Sequence, residues 1–174
     1  NSKRDIVKPE DAKGLKMRTM ENKVHMDGYR AFGILPTPMA FPELFGALQQ
    51  GTVDGQENPI PVIVSATFGQ VQEHLSLTGH VYSPALLLLS PKVWNKLSDG
   101  DKKVFVQAAQ AAGAAQRKKV NEDEANGIAQ LEQQGMKVIK TVDKGAFQAA
   151  LKVPYEGYAK EFGADNIKKI QDVK

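Results

Sequence analysis

The stretch that decides the fold runs from Pro36 to Pro59 and reads PTPMAFPELFGALQQGTVDGQENP. Its apolar residues recur at helical spacing, which predicts a short amphipathic helix that ends at Gly51. The residues on the buried face of this helix are Phe41, Leu44, Phe45 and Leu48. A polar turn follows, and we predict that Asn58 caps a second helix over Pro59–Phe68. Polar side chains on a loop that leads into a helix are well placed to hold a polar ligand.

Short apolar segments alternate with helical segments along the rest of the chain, and this alternation predicts an α/β fold. The segment Gly14–Thr19 alternates apolar and basic residues and is predicted to be a strand. The apolar run Ala85–Leu89 is predicted to be a buried strand. Near the C-terminus we predict two short helices separated at Pro154, and a last helix over Asn166–Val173 with Ile170 turned inward.

The longest predicted element is a helix over Asp99–Gln134, a stretch without proline in which alanine, lysine and glutamate are frequent. Ser98 or Asp99 is a suitable cap, and Gly135 is a suitable stop. A helix of ~35 residues is about 50 Å long, which exceeds the width of a small domain. Because its apolar residues cluster at the two ends and its middle is polar, we predict that it packs on two separate bodies and bridges them.

Charge and composition indicate neither a nucleic-acid partner nor a metal or cofactor. The net charge of the 174 residues is +3, and basic residues do not interleave with aromatic residues. The absence of cysteine excludes disulfides and thiolate chemistry. His74 and His80 are too far apart in sequence to share one face of a short element, so no metal site is predicted. No glycine-rich phosphate loop is present, and no cofactor is predicted.

Three side chains could bind a ligand, and the residues alone favour a structural role for each. Arg18 stands near the end of a predicted strand, where a guanidinium can bind a carboxylate through two parallel hydrogen bonds. Phe41 could stack on a ligand or pack into the core, and Asn58 could bind a ligand or only cap a helix. The acids Asp54 and Glu57 leave open a small hydrolase or lyase that uses one of them as general base.

Three segments together resemble the solute-binding proteins of tripartite ATP-independent periplasmic (TRAP) transporters, the DctP-like family. The segments are GLKMR (Gly14–Arg18), PTPMAFPELFGALQQGTVDGQENP (Pro36–Pro59) and SPKVWNKLSDGDKK (Ser90–Lys103). The resemblance implies a two-lobed α/β receptor in the bacterial periplasm that captures organic acids, dicarboxylates among them, and passes them to membrane permease subunits. It implies binding without catalysis, and a long helix that links the lobes.

The resemblance also implies which residues bind the ligand. The family's carboxylate-binding arginine falls on Arg18, its cleft aromatic residue on Phe41 and its cleft asparagine on Asn58. Glu57 and His80 match positions that in some members join a polar or water network beside the ligand.

The chain departs from the family pattern after the arginine strand. Where many members have a proline or asparagine contact, this chain has Met20 and Glu21. An acidic side chain near the cleft would disfavour a second anionic group at that place.

The resemblance covers only the later part of the family's length, and we expect the first lobe to have no counterpart in this chain. It implies that residues 1–84 form the first part of the second lobe, that residues 85–123 pack on the missing lobe, and that residues 124–174 complete the second lobe. Exposed apolar surface is therefore expected at Leu86–Leu89, Trp94 and Val104–Phe105. Such a patch predicts self-association, for example by swapping of that segment between copies.

Overall fold

Two small parallel sheets form the centre of the fold in the computed structural model, which describes residues 1–173. Residue 174, the last residue of the predicted segment 124–174, lies outside the described residues. The strands are β1 (Lys16–Thr19), β2 (Leu35–Pro38), β3 (Gly55–Gln56), β4 (His74–Ser76) and β5 (Lys137–Ile139). The first sheet has the order β2-β1-β3, the second pairs β4 with β5, and every pair is parallel. The predicted α/β fold class is confirmed.

Helices connect the strands and pack on the sheets. Their bounds are α1 (Pro9–Ala12), α2 (Lys23–Ala31), α3 (Leu44–Gln49), α4 (Ile60–Ser65), α5 (Pro91–Trp94), α6 (Asp99–Gln133), α7 (Lys144–Ala150), α8 (Lys152–Phe162) and α9 (Ala164–Gln171). The connection from β1 to β2 passes through α2, because parallel neighbours need a crossover. The predicted amphipathic helix begins as a 3₁₀ turn over Phe41–Glu43, continues as α3, and stops before Gly51, whose φ is +70°.

Two hydrophobic clusters hold these elements together. The larger cluster packs α3, α4 and the end of α6 around four fully buried side chains: Leu44, Val53, Phe68 and Leu131. The smaller cluster contains Leu15, Tyr29 and Phe32, and Phe147 of α7 packs edge-on against Phe32 with ring centres 5.0 Å apart. The C-terminal helices therefore pack back on the first part of the chain.

The 35-residue helix α6 confirms the predicted long helix. The side-chain oxygen of Ser98 accepts a hydrogen bond from the backbone N–H of Asp101 (3.1 Å), and Gly135 follows the helix with a φ of +95°. Within the described chain, α6 is buried only at Gly127 and Leu131, near its crossing with α4. Most of its earlier residues are exposed. Its role as a bridge between two bodies stays a prediction.

The segment Ala85–Leu89 is not a strand, and this prediction was wrong. It lies in an irregular connection between β4 and α5, where Leu86 and Leu88 are 77% and 83% exposed. An apolar run becomes a buried strand only if sheet neighbours and covering layers enclose it, and residues 1–173 provide neither at this place. The expected exposed apolar surface is present here and at Val104 and Phe105, whereas Trp94 is half-buried and not exposed as expected.

Asn58 does not cap a helix, so its predicted capping role was also wrong. Pro59 occupies the cap position of α4, and the Asn58 Nδ2 group donates to Oε1 of Gln56 (2.6 Å). Helix α4 is shorter than predicted, because Thr67 adopts the left-handed backbone conformation with a φ of +55°. The Asn58 side chain is therefore bound to Gln56 in the polar turn and does not cap a helix.

Two predictions near the C-terminus were wrong in detail. Pro154 does not separate two helices but lies in the first turn of α8, where its missing N–H has no intrahelical partner to lose. The break comes at Leu151, between α7 and α8. Ile170 is 75% exposed and does not point inward, because within the described residues α9 packs mainly on α8.

Candidate ligand-binding site

The side chain of Arg18 is largely buried at the carboxyl end of β1. Arg18 is 5% exposed, and its Nε donates to the carbonyl oxygen of Met39 (3.0 Å). Among residues 1–173, no carboxylate lies within ion-pairing distance of it, and Nη1 and Nη2 make no hydrogen bond. Burial lowers the pKa of Arg18, but a guanidinium stays protonated. The arrangement leaves the two terminal nitrogens for an anionic partner.

An aromatic ring covers one side of this cation. The guanidinium carbon of Arg18 lies 5.8 Å from the ring centre of Phe41. Phe41 is 44% exposed, and its ring packs edge-on against the fully buried Phe68 at 6.0 Å. Phe41 therefore presents apolar surface beside the charge and is not a core residue of α3.

Glu57 brings a carboxylate into the neighbourhood of Arg18. Arg18 and Gln56 are register partners across β1 and β3, and Glu57 is the next residue along the chain. Burial raises the pKa of Glu57, and the nearby charges of His25 and Arg18 partly oppose that rise. The carboxyl group is thus close enough to Arg18 to be influenced electrostatically, without forming an ion pair with it.

His80 is held by hydrogen bonds at both ring nitrogens. Its Nε2 lies 3.0 Å from the Tyr29 hydroxyl, and its Nδ1 lies 2.7 Å from Oγ1 of Thr78. Loss of water around the ring lowers the pKa of His80 to about 4, although the residue as a whole is exposed. The imidazole is therefore neutral at pH 7, and burial raises the pKa of Tyr29 so that its hydroxyl stays protonated.

The predicted site residues form two adjoining groups. Glu57, Asn58 and His80 line one cleft of about 400 Å³. Arg18 and Phe41 contact each other but do not line that cleft. The two groups adjoin, because Gln56, which lines the cleft, is the register partner of Arg18 across β1 and β3.

Asp54 has a structural role in the described chain. Its Oδ2 accepts a hydrogen bond from the Lys16 backbone N–H (2.8 Å), and its Oδ1 lies 3.7 Å from the Lys3 Nζ. This carboxylate fixes the start of β1 against the turn before β3. Residues 1–173 contain no group of three or more histidines and acids placed to hold a metal ion.

Sequence reasoning missed three polar residues at this place. Tyr29 was not among the candidate site residues, and its hydroxyl contacts His80 from 51 positions away. The Nδ1 of His25 and the Oγ1 of Thr19 are buried without a hydrogen-bond partner among the described residues. Thr19 directly follows Arg18 in β1, and that adjacency was the one local signal that could have identified it.

Comparison with known proteins identifies the family. The model of "Bacterial extracellular solute-binding protein, family 7" (DctP) matches residues 1–161. The chain belongs to this family. A curated solute-binding protein of Verminephrobacter eiseniae is 53% identical over 98% of this chain and 51% of its own length. The chain thus spans about half the length of the curated relatives it matches.

Solved structures of the family share the fold of this chain. A TRAP periplasmic solute-binding protein from Polaromonas sp. JS666, bound to D-erythronate, is 70% identical, with a TM-score of 0.96 over 100% of this chain and 57% of that protein. One from Bordetella bronchispeptica, with density interpreted as pantoate, is 50% identical, with a TM-score of 0.93 over 100% of this chain and 57% of that protein. The family is one of substrate-binding proteins, and it is described as extracellular. No helix in residues 1–173 has the length and apolar character needed to cross a membrane.

Proposed function

We propose that this chain forms the carboxylate-binding lobe of an extracytoplasmic TRAP receptor for a small organic acid. The observation that carries the proposal is the largely buried side chain of Arg18, whose terminal nitrogens stay accessible to solvent and have no partner among residues 1–173. A buried cation without a counter-ion is costly, and a ligand carboxylate that binds with two parallel hydrogen bonds offsets that cost.

The neighbouring residues define the rest of the ligand. Phe41 provides an apolar wall beside the carboxylate, and the half-buried Asn58 provides amide hydrogen bonds. Glu57 lines the adjoining cleft and can accept hydrogen bonds from hydroxyl groups. His80 lines the same cleft, but both of its ring nitrogens are bound to Tyr29 and Thr78. We therefore infer a short-chain hydroxy acid as ligand. Erythronate and pantoate, which the two related structures contain, both carry hydroxyl groups on a short carboxylic acid.

Transport follows from family membership. Binding at Arg18 makes or breaks no covalent bond, and the receptor delivers its ligand to TRAP permease subunits for secondary-active uptake. The place of action is the periplasm, as the family's extracellular description supports. A general-base role for Asp54 has no structural support, because its carboxylate holds the Lys16 backbone N–H.

Titration of the ¹⁵N-labelled chain by NMR tests the proposal, with D-erythronate, pantoate and succinate as probes. We expect weak, millimolar binding, since ligand burial in a closed cleft supplies much of the affinity of such sites. Signals of Arg18, Phe41 and Asn58 should shift. Arg18→Ala should abolish binding, and Arg18→Lys should weaken it because lysine cannot form the two parallel bonds.

A matched control is Arg30→Ala. Arg30 is an exposed arginine of α2 whose Nη1 binds Oδ1 of Asp27 (2.9 Å), so its removal should leave binding unchanged. Unaltered affinity in Arg18→Ala, or shifts confined to another surface, would refute the role assigned to Arg18.

A further inference from the structure

The carboxyl ends of the strands of the first sheet meet at one edge, and helix α2 begins at that edge. Arg18 and Thr19 end β1, and Gln56 ends the parallel neighbour β3, with Glu57 directly after it. Only three residues separate the end of β1 from the start of α2. The first turn of α2 therefore lies where open α/β sheets bind their ligands.

His25 lies in this first turn of α2. It comes four residues before Tyr29, so the two side chains share one face of the helix. Tyr29 lines the cleft, and its hydroxyl lies 3.0 Å from Nε2 of His80. Burial is the main influence on the pKa of Glu57 and of His80, and the charge of a protonated His25 is the next influence on both. The face that carries His25 is therefore the face that borders the cleft.

The two ring nitrogens of His25 have different surroundings. Nδ1 is buried and has no hydrogen-bond partner among residues 1–173. Nε2 also lacks a partner in the described part of the chain, but it stays accessible to solvent. A neutral imidazole has one N–H and one acceptor nitrogen, and a buried N–H without an acceptor is rarer in proteins than an unpaired acceptor. The proton of the neutral ring therefore belongs on Nε2, which is an accessible donor.

The carboxylate of Glu57 is the complementary acceptor. Glu57 is half-buried, and its side-chain oxygens are accessible and have no hydrogen-bond partner among the described residues. His80 offers no free nitrogen, because both of its ring nitrogens are bound. A hydroxyl group accepts one hydrogen bond and donates another, so it can satisfy an N–H and a carboxylate together. A keto oxygen would satisfy only the N–H, and Glu57 would repel a second carboxylate.

We propose that His25 and Glu57 together recognise a hydroxyl group of the bound acid, with Nε2 of His25 as the donor and the Glu57 carboxylate as the acceptor. The inference rests on the proposed function, because it requires that Arg18 binds the carboxylate of the same ligand. His25 is then a specificity-determining residue, which makes the site selective for hydroxy acids over unsubstituted acids of the same length.

NMR titration with two four-carbon acids, D-erythronate and butanoate, tests the proposal. Butanoate has the same carboxylate and lacks every hydroxyl group. His25→Leu should weaken D-erythronate binding about tenfold, because one hydrogen bond is lost and the ligand hydroxyl is left without its donor. Butanoate binding should change by less than about twofold, because butanoate has no hydroxyl to lose that bond.

Two amides are matched replacements for the imidazole. The amide nitrogen of His25→Gln reaches the place of Nε2, so this variant should retain D-erythronate binding to within about threefold. The amide nitrogen of His25→Asn reaches only the place of Nδ1, so this variant should behave like His25→Leu. Melting curves establish that each variant is folded. In the unmodified chain, ¹⁵N spectra of the neutral His25 ring should show the proton on Nε2.

Each other outcome would overturn the proposal. Equal weakening of both acids by His25→Leu, or recovery with asparagine and not with glutamine, would leave His25 a structural role only. A proton on Nδ1 of the neutral ring would leave no donor at Nε2. If Arg18→Ala left the binding of both acids unchanged, the proposed function would fail and this inference with it. A failure at His25 alone would leave the role of Arg18 intact.

Discussion

The ring of Phe41 contacts both the guanidinium of Arg18 and the core residue Phe68. Its ring centre lies 5.8 Å from the Arg18 guanidinium carbon and 6.0 Å from the ring centre of the fully buried Phe68. The core thus fixes the position of a ring that shields one face of the cation from water. Shielding strengthens the attraction between the guanidinium and a ligand carboxylate, because the local dielectric constant falls.

Phe41→Ala should therefore weaken binding of the carboxylate ligand by about tenfold, the effect of losing roughly 1–2 kcal/mol of stacking and cation–π energy. Thermal stability should change little, since the side chain is 44% exposed. NMR titration with D-erythronate measures the first effect and a melting curve the second. Phe162→Ala, which removes a ring of similar exposure (48%) from α8, is the matched control. Equal affinity in the two variants would disprove the role of the ring.

Glu57 should make the folded chain less stable at neutral pH. Burial raises its pKa in the folded state, so the folded chain holds this proton more tightly than the unfolded chain does. The protonated Glu57 side chain contributes favourably to the free energy of unfolding. This contribution is fully present below the pKa of the unfolded chain, near 4.5, and is lost as the pH rises through the pKa of the folded chain. Glu57→Gln should raise the free energy of unfolding at pH 7 by on the order of 1 kcal/mol. Below pH ~4 the gain should vanish.

Urea unfolding at several pH values measures this difference. Glu21→Gln makes the same chemical change at an exposed glutamate. It should leave the pH dependence of the free energy of unfolding unchanged. A Glu57→Gln chain that is less stable than the unmodified chain at pH 7 would mean that attraction to His25 and Arg18 outweighs the cost of burial.

Gly127 should be intolerant of any side chain, because α6 crosses α4 closely there. A Cβ on Gly127 would lie 2.6 Å from Cγ2 of Ile60 and 3.2 Å from Cγ2 of Val64. Gly127→Ala should therefore cost about 1–3 kcal/mol of stability, in spite of the better helix propensity of alanine. Chemical denaturation measures the change.

The same substitution at Gly113, a half-buried position of the same helix without a close neighbour, is the control. At Gly113 the nearest heavy atom to an added Cβ is the flexible Arg117 Nη1, at 3.6 Å. Gly113→Ala should stabilise the chain by up to about 1 kcal/mol, because alanine favours the helix. Effects of the same sign at the two glycines would contradict the close crossing.

The exposed leucines should drive self-association of the chain at high concentration. Leu86, Leu87 and Leu88 are 77%, 77% and 83% exposed and adjoin one another in sequence. Burial of such a patch is worth about 25 cal/mol per Å² of apolar surface. Sedimentation at increasing concentration should show dimers, and serine at Leu86 and Leu88 should abolish them. Val153→Ser, which changes an isolated residue that is 75% exposed, should leave the dimers unchanged.

Local sequence signals were sufficient wherever an element is defined by its own residues. Ser98 and Gly135 bracket α6 because a cap and a left-handed glycine act at the helix ends whatever surrounds them. The alternation around Arg18 placed it near the end of β1 for the same reason. The family resemblance, and not periodicity, suggested the ligand-binding roles that we propose for Phe41 and Asn58.

The remaining errors concern residues whose state depends on distant partners. The Tyr29–His80 contact spans 51 positions and leaves no periodic trace in the sequence. Asn58 precedes a proline, which is a common capping arrangement, but its amide instead binds Gln56. The run Ala85–Leu89 has the composition of a buried strand, yet burial requires neighbours that a local pattern does not encode.

The attachment of α6 near its C-terminal end gives the helix a mechanical property. Asp99 lies 28 residues before the Gly127 crossing, which is roughly 42 Å along a rigid rod. A tilt of about 5° at that pivot would carry the far tip through roughly 4 Å. The distance between the crossing and Asp99 therefore magnifies a small change in the packing against Ile60 into a displacement of several ångströms at the start of the helix.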